Sequence, residues 1–254
     1  MSGGRPSVRE SALYFMWWQK KYGPKKPIYR RWWFKWGFGF VLFFLVITIL
    51  PVMLYSVINP PSTPLMWIRW MESDSAKHYP LFIKDWRRLN TISPRLMRAV
   101  ISAEDQKFFM HNGFDWEAAA NALEVNLTTN RKIGASTISM QTARNVFLWQ
   151  ERNWLRKGLE AYFTFLIEAL WSKERILEVY LNVIEWGDGV FGCEHASQKY
   201  FHHSARWITK IEAAWMAAIL PNPRAWSKDK YRFRVQKRQT RILLSMRKMK
   251  LPAI

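Results

Sequence analysis

An uncharged, strongly apolar segment near the N-terminus constrains this chain more than any other feature of its sequence. Residues 37–58 read GFGFVLFFLVITILPVMLYSVI and carry no charged side chain over 22 residues. At 1.5 Å of rise per helical residue the segment can cross a hydrocarbon core of about 30 Å. Pro51 is tolerated in such a helix. We therefore predict a transmembrane helix over residues 36–58.

The alternative to a permanent anchor is a cleaved secretory signal peptide. This segment is too long for a signal sequence, and no small-residue cleavage site follows it. After the segment no charge occurs until Arg69. Before it lie the basic residues Arg5, Arg9, Lys20, Lys21, Lys25, Lys26, Arg30, Arg31 and Lys35. The positive-inside rule puts the N-terminus in the cytoplasm and residues from about 59 onward outside it, a topology that fits a bacterial inner membrane.

The whole chain is strongly basic, with 39 Lys and Arg against 19 Asp and Glu and a formal net charge of +20. This balance predicts an anionic partner: nucleic acid, anionic lipid headgroups or a phosphorylated substrate. The orientation of the anchor removes nucleic acid as the natural partner of the external domain. The single cysteine, Cys193, forms no intrachain disulfide, and the pair His202-His203 lacks partners at metal-ligand spacing. We therefore assign no metal ligands.

The predicted organisation has four parts. Residues 1–35 form a basic cytoplasmic arm, 36–58 the transmembrane helix, 59–89 a linker and membrane-proximal segment, and 90–254 one domain. Helical patterns recur in this domain and strand alternation is scarce, so we predict a mainly α fold. The basic segment 231–250 either presses the domain onto anionic headgroups or is a solvated basic helix, and both interpretations stay open.

Helix boundaries follow from caps and apolar periodicity. Asp115 is placed to cap a helix over residues 116–128. Gly187, Gly189 and Gly192 predict a loop, and residues 221–223 (PNP) separate the last two helices. The remaining helices are predicted from about Gly134 through Arg144 and over residues 154–171, 173–182, 194–200, 209–220 and 231–249.

The stretch ISAEDQKFFMHNGFDW, residues 101–116, places two adjacent acids beside aromatic residues. Glu104 and Phe108 are four residues apart, and we expect them to share one helical face. A carboxylate held against aromatic surface can have a pKa suited to proton transfer. The alternative is a carboxylate at a helix end that pairs with Lys107 or Arg98.

Two further segments carry polar groups at helical spacing. In GASTISMQTARN, residues 134–145, the side chains of Thr137, Gln141 and Arg144 are predicted to line one face and to grip a sugar and a phosphate. An ordinary capped helix is the alternative. In ERNWLRKGLEAYF, residues 151–163, Glu160 lies among cations that either pair with it locally or face a pyrophosphate.

Together these segments resemble the lysozyme-like peptidoglycan glycosyltransferases, and among them the monofunctional, membrane-anchored members. The family's ordered motifs are met at residues 104–115, 134–141, 156–160, 173–182 and 212–223. The first three read E-D-x-x-F-x-x-H-x-G-x-D, G-x-S-T-I-x-Q-Q and R-K-x-x-E. Met140 replaces the first glutamine of the second motif. The resemblance extends over residues 90–250.

The resemblance implies a lysozyme-like α-helical glycosyltransferase domain, preceded by one transmembrane helix, that polymerises lipid II into β-1,4 glycan and releases undecaprenyl pyrophosphate. Glu104 is then the general base. Glu160 is the second catalytic acid, which orients cations or a bound divalent cation (Mg or Mn) at the leaving pyrophosphate. No organic cofactor is implied. The implied substrate-binding residues are Asp105, Ser136, Thr137, Gln141, Arg144, Arg152 and Lys157.

Expected partners are the membrane, lipid II, the nascent lipid-linked glycan, penicillin-binding transpeptidases and division proteins, but no nucleic acid. Because the sequence ends at Ile254, we expect no transpeptidase domain and no transpeptidase activity. Two other functions stay in view. A lysozyme-like hydrolase or lytic transglycosylase would share the scaffold but would not need the cations between Arg144 and Lys157. A non-catalytic cell-wall scaffold would not require Glu104 or Glu160.

Overall fold

The computed structural model describes residues 8–23, 28–73, 78–129, 133–151, 153–228, 231–249 and 251–252. The chain forms two compact units, Met1–Thr48 and Ile49–Ile254. Helix α1 spans Val8–Tyr22 and helix α2 spans Ile28–Tyr55. Within α2, Trp32–Tyr55 is the one helix of the described residues that is long and apolar enough to cross a membrane.

The second unit is built almost entirely of helices, which confirms the mainly α prediction. Its helices are α3 (Pro64–Met71), α4 (Pro94–Glu104), α5 (Trp116–Thr128), α6 (Ile138–Phe147), α7 (Trp154–Leu170), α8 (Lys173–Val183), α9 (Cys193–Phe201), α10 (Lys210–Ile219), α11 (Pro223–Trp226) and α12 (Arg232–Met246). The strands β1 (Glu185–Gly187) and β2 (Val190–Phe191) form a short antiparallel hairpin where a loop was predicted.

Side-chain caps begin most of these helices. Asp115 accepts a hydrogen bond from the N–H of Ala118, as predicted for α5. Asn153 and Ser172 cap α7 and α8 in the same way. Each cap satisfies a backbone N–H that the first helical turn leaves without a partner.

Alanines along α10 let two other helices approach it closely. Ala213, Ala214, Ala217 and Ala218 are fully buried. Helix α10 packs against both α4 and α12, which also contact each other. Small side chains at such contacts permit short distances between helix axes. The packing brings α12 over the C-terminal end of α4, where Glu104 lies.

Two local predictions were wrong. Helix α6 begins at Ile138 rather than near Gly134, because Thr137 is the N-cap and the residues before it are not helical. Phe108 does not share a helical face with Glu104, because α4 ends at Glu104 and Phe108 lies in the turn that follows. The ring of Phe108 is instead fully buried in the core.

Candidate active site

Glu104 is the last residue of α4 and is held by two side chains from other helices. Its carboxylate, 15% exposed, accepts a hydrogen bond at Oε2 from Nε2 of Gln141 at 3.0 Å. It accepts another at Oε1 from Nη2 of Arg238 at 2.9 Å. Each carboxylate oxygen offers about two lone-pair positions. Both oxygens therefore keep room for one more donor.

The environment of Glu104 makes it more basic than an exposed glutamate. Burial raises the pKa of this carboxyl above its ordinary value, against the lowering effects of the Gln141 hydrogen bond and of the Arg238 and Arg144 charges. The direction shows that desolvation outweighs the two cations. A carboxylate with a raised pKa is a better proton acceptor near neutral pH than an ordinary one.

A tyrosine from α8 orients the amide that contacts Glu104. The hydroxyl of Tyr180 donates to Oε1 of Gln141 at 3.0 Å, so the amide NH₂ of Gln141 points to Glu104. Tyr180 is 1% exposed. Burial, together with the charge of Glu104, raises its pKa well above the ordinary value. Tyr180 therefore stays a neutral donor over the working pH range.

Asp105 is buried beside Glu104 and makes structural hydrogen bonds. Its Oδ2 accepts from the backbone N–H of Ile138 at 3.0 Å, and Nε2 of His111 lies 2.9 Å from Oδ1. Nδ1 of His111 in turn accepts from the N–H of Gly113, whose φ of +89° is the left-handed conformation that suits glycine. Asp105 thus ties the end of α4 to the start of α6. Its role as a substrate contact stays a prediction.

Thr137 and Ser136 differ in what they can offer a substrate. The hydroxyl of Thr137 is buried, donates to the carbonyl of Gly113 at 2.6 Å and accepts from the N–H of Met140. Thr137 nonetheless lines the Glu104 cavity, and its role as a substrate contact stays a prediction. Ser136 is half-buried and lines the cleft described below.

The second acid, Glu160, lies in the second turn of α7 and is almost completely buried, at 1% exposure. Arg156 donates to its Oε2, and Nζ of Lys157 lies 2.6 Å from its Oε1. Arg156 is itself buried, whereas the Lys157 side chain is 43% exposed. The local ion pairing expected from the sequence is present, and it leaves a net positive cluster.

One cleft joins the two acids. A cavity of about 330 Å³ contains Glu104, and a second of about 590 Å³ contains Glu160. Gly134 and Ser136 line both cavities, so the two adjoin. We call the combined space the two-acid cleft. It offers a buried base at one end and cations at the other.

Arg144 stands between the two ends of the cleft. Its side chain lines the Glu160 cavity, and its charge also acts on Glu104. Its Nε is buried without a hydrogen-bond partner among the described residues. With Arg156 and Lys157 it gives the cationic end three positive charges against the one of Glu160. Arg152 lies outside the described residues.

A divalent cation at the leaving pyrophosphate stays a prediction. No group of three or more His, Cys, Asp or Glu side chains able to hold a metal occurs in the described part of the chain. Both oxygens of Glu160 already accept from cations. A larger cavity of about 700 Å³ surrounds Tyr79 and His195, but it contains none of the motif residues.

Three site residues escaped the sequence reasoning. Tyr180 lies within a recognised motif, yet nothing local shows that its hydroxyl reaches Gln141. Arg156 was recognised in the third motif and as a cation near Glu160, but it was not among the predicted substrate-binding residues. Arg238 belongs to the basic segment that was left open between a membrane surface and a solvated helix, and its partner Glu104 is 134 residues away. No local pattern reveals such a contact.

Comparison with known proteins gives a consistent result. The sequence profile of the transglycosylase family matches residues 80–247. A biosynthetic peptidoglycan transglycosylase of Bdellovibrio bacteriovorus is 52% identical over 82% of this chain and 84% of its own length. Proteins of the same name from Chromohalobacter salexigens and Bacteroides thetaiotaomicron are 44% and 45% identical, over 85% and 81% of this chain and 94% and 83% of their own lengths.

Proposed function

Because this chain belongs to the transglycosylase family, it is a glycosyltransferase of peptidoglycan synthesis, and we propose that it polymerises lipid II by the two-acid cleft. The observation that carries this proposal is the arrangement of the cleft. A buried carboxylate with a raised pKa lies at one end, and three cations surround a buried acid at the other. Lipid II contains a sugar hydroxyl and a sugar pyrophosphate, which need these two environments.

Glu104 is the proposed general base. The 4-hydroxyl oxygen of the acceptor sugar attacks C1 of the lipid-linked donor, and its proton passes to the Glu104 carboxylate. The bond from C1 to the pyrophosphate oxygen breaks, and the leaving group takes the electron pair. Attack from the face opposite the leaving group inverts C1 and gives a β-1,4 link. The free lone pairs of the Glu104 carboxylate support this role.

The cationic end is proposed to bind the pyrophosphate as it departs. Pyrophosphate is a weak base, so it needs charge neutralisation more than a proton. Arg144 and Lys157 line this end with side chains that reach the cleft. Glu160 holds Arg156 and Lys157 in place and limits their mobility. A contact of this kind typically contributes about 2–4 kcal/mol to transition-state stabilisation.

No step of this mechanism passes through a metal ion. The side chains present supply the positive charge directly, and each oxygen of Glu160 already accepts a hydrogen bond from Arg156 or Lys157. The same cations disfavour the hydrolase alternative, because cleavage of a neutral glycan produces no anionic leaving group that would need them.

The proposed setting is a bacterial inner membrane. Trp32–Tyr55 is apolar and long enough to anchor the chain, and the basic residues before it favour a cytoplasmic N-terminus and an extracytoplasmic cleft. Both substrates carry a lipid, so an anchored enzyme searches along a surface. The glycan product must then be crosslinked, which makes penicillin-binding transpeptidases and division proteins its proposed partners.

The experiment that tests this function supplies purified lipid II to the full-length protein in detergent. We expect a polymer that muramidase degrades, together with release of undecaprenyl pyrophosphate, and no peptide crosslinks. The same preparation should leave preformed, uncrosslinked glycan intact. Cleavage of preformed glycan without polymer formation would overturn the proposal and favour the hydrolase.

A further inference from the structure

Helix α1, before the apolar anchor, has an apolar stripe that no part of the described chain covers. Every residue of α1 whose burial the structure describes is exposed. Phe15 is 60% exposed and Trp18 49% exposed. The cleft and its mechanism make no use of this helix, so the exposed aromatic surface needs another explanation.

One face of α1 is uncharged and carries an apolar stripe, and the opposite face carries the charges together with the apolar residues Leu13 and Trp17. Apolar residues recur at spacings of four, three, three and four, which place them along one face at 3.6 residues per turn. They are Val8, Ala12, Phe15, Trp18 and Tyr22. The basic residues Arg9, Lys20 and Lys21 lie away from the centre of this stripe. Nζ of Lys21 lies 4.7 Å from the ring centre of Trp17, so the lysine stem packs along an aromatic surface while its charge stays accessible.

The short connection to α2 limits where α1 can be. Only residues 23–27 separate the end of α1 from the start of α2. Even a fully extended connection spans only about 20 Å. The apolar part of α2 begins at Trp32, about 6 Å beyond Ile28. The C-terminal end of α1 therefore stays within about 26 Å of the membrane surface. The membrane surface is therefore always close to α1, whereas a separate protein partner would have to diffuse to it.

The charge of the whole N-terminal arm selects the kind of surface. Residues 1–35 contain nine basic side chains and a single acid, Glu10. A second copy of such a helix would be repelled, whereas an anionic headgroup layer would be attracted. An aromatic stripe with basic residues beside it is the pattern of helices that lie in the membrane interface.

We propose that α1 lies in the plane of the membrane and binds anionic phospholipid headgroups with its basic residues, while the stripe enters the headgroup layer. This inference rests on the proposed membrane setting and goes beyond the glycosyl transfer. It gives the chain a second contact with the bilayer beside the anchor, in the leaflet that holds the N-terminus.

The test uses full-length protein with one introduced cysteine, Phe15→Cys or Lys20→Cys, labelled with an environment-sensitive fluorophore. Cys193 is fully buried. Wild type treated with the same fluorophore checks that Cys193 does not react. The two positions are about 140° apart around the helix, at 100° per residue. Each protein is reconstituted in phosphatidylglycerol-containing or pure phosphatidylcholine vesicles with spin-labelled lipid in both leaflets.

In phosphatidylglycerol vesicles we expect the label at position 15 to be quenched at least about twofold more than the label at position 20. In phosphatidylcholine vesicles we expect weaker quenching of the label at position 15. Equal quenching at both positions would overturn the in-plane orientation. Equal quenching in both lipids would overturn the binding of anionic headgroups. A Phe15 label that stays in water in vesicles but is protected in native membranes would assign the stripe to a protein. Polymerisation by the same proteins in detergent tests the proposed function separately.

Discussion

Replacing Arg238 by glutamine should move the pH dependence of polymerisation, because Arg238 holds part of the charge that keeps Glu104 ionised. The Arg238 side chain lies 2.9 Å from Glu104 and is 26% exposed. An ion pair with charge centres about 4 Å apart at an effective dielectric constant of about 20 is worth about 4 kcal/mol. Partial exposure reduces this to about 1–2 kcal/mol, or about one pKa unit.

The sign of the shift follows from which form is active. A general base must be ionised, so activity rises with pH through the pKa of Glu104. Without Arg238 the ionised form is less favoured, and the acid limb of the kcat/KM profile should move to higher pH by about one unit. Well above this limb the two proteins should differ much less.

The assay is the initial rate of lipid II polymerisation between about pH 5 and pH 9, under conditions where rate is proportional to substrate. Arg241→Gln is the matched control, since Arg241 is exposed on the same helix and the ion pair of Glu104 is made by Arg238 instead. An unmoved acid limb in Arg238→Gln, or an equal shift in the control, would refute the electrostatic role of Arg238.

Three further outcomes follow from the geometry. Tyr180→Phe frees the amide of Gln141 to rotate, and the loss of one hydrogen bond worth about 1 kcal/mol should lower kcat about fivefold, as measured by polymer formation. Because the Gln141 hydrogen bond lowers the pKa of Glu104, the acid limb of the pH profile should also move to higher pH. Lys157→Met should remove about 2–4 kcal/mol of transition-state stabilisation and so lower kcat, with little change in the unfolding temperature. Glu160→Gln should lower both kcat and the unfolding temperature, because it leaves Arg156 buried without its charge partner. Since burial raises the pKa of Glu104 in the folded state, its ionisation costs stability at higher pH, and Glu104→Gln should be at least as stable as wild type near pH 8, with a gain that disappears as pH falls toward the ordinary glutamate pKa; a gain that instead grows on acidification would contradict this linkage.

Local sequence signals were sufficient for most of the helices. Helix α5 begins after Asp115, as predicted, because the cap and the apolar periodicity are both local. Helices α7 and α8 end within one residue of their predicted ends for the same reason. The mainly α fold therefore followed from short-range patterns.

The errors have both local and non-local causes. The start of α6 follows from its N-cap Thr137, and Asp105, 33 residues earlier, also accepts a hydrogen bond from the N–H of Ile138. The contact of Arg238 with Glu104 depends on the packing of α12 and α4 against α10. The motifs identified the two acids and most of the cations around them. They did not reveal which side chains orient those groups, since that is decided by tertiary packing.

The central claim is that Glu104 takes the proton of the attacking hydroxyl, and the most direct test compares wild type with Glu104→Gln in lipid II polymerisation. Glu124→Gln, at an exposed acid on α5 outside the cleft, is the matched control. We expect long glycan from wild type and from Glu124→Gln, and no measurable glycan from a Glu104→Gln protein whose thermal unfolding shows that it is folded. Polymer formation by Glu104→Gln at a rate near that of wild type would contradict the account.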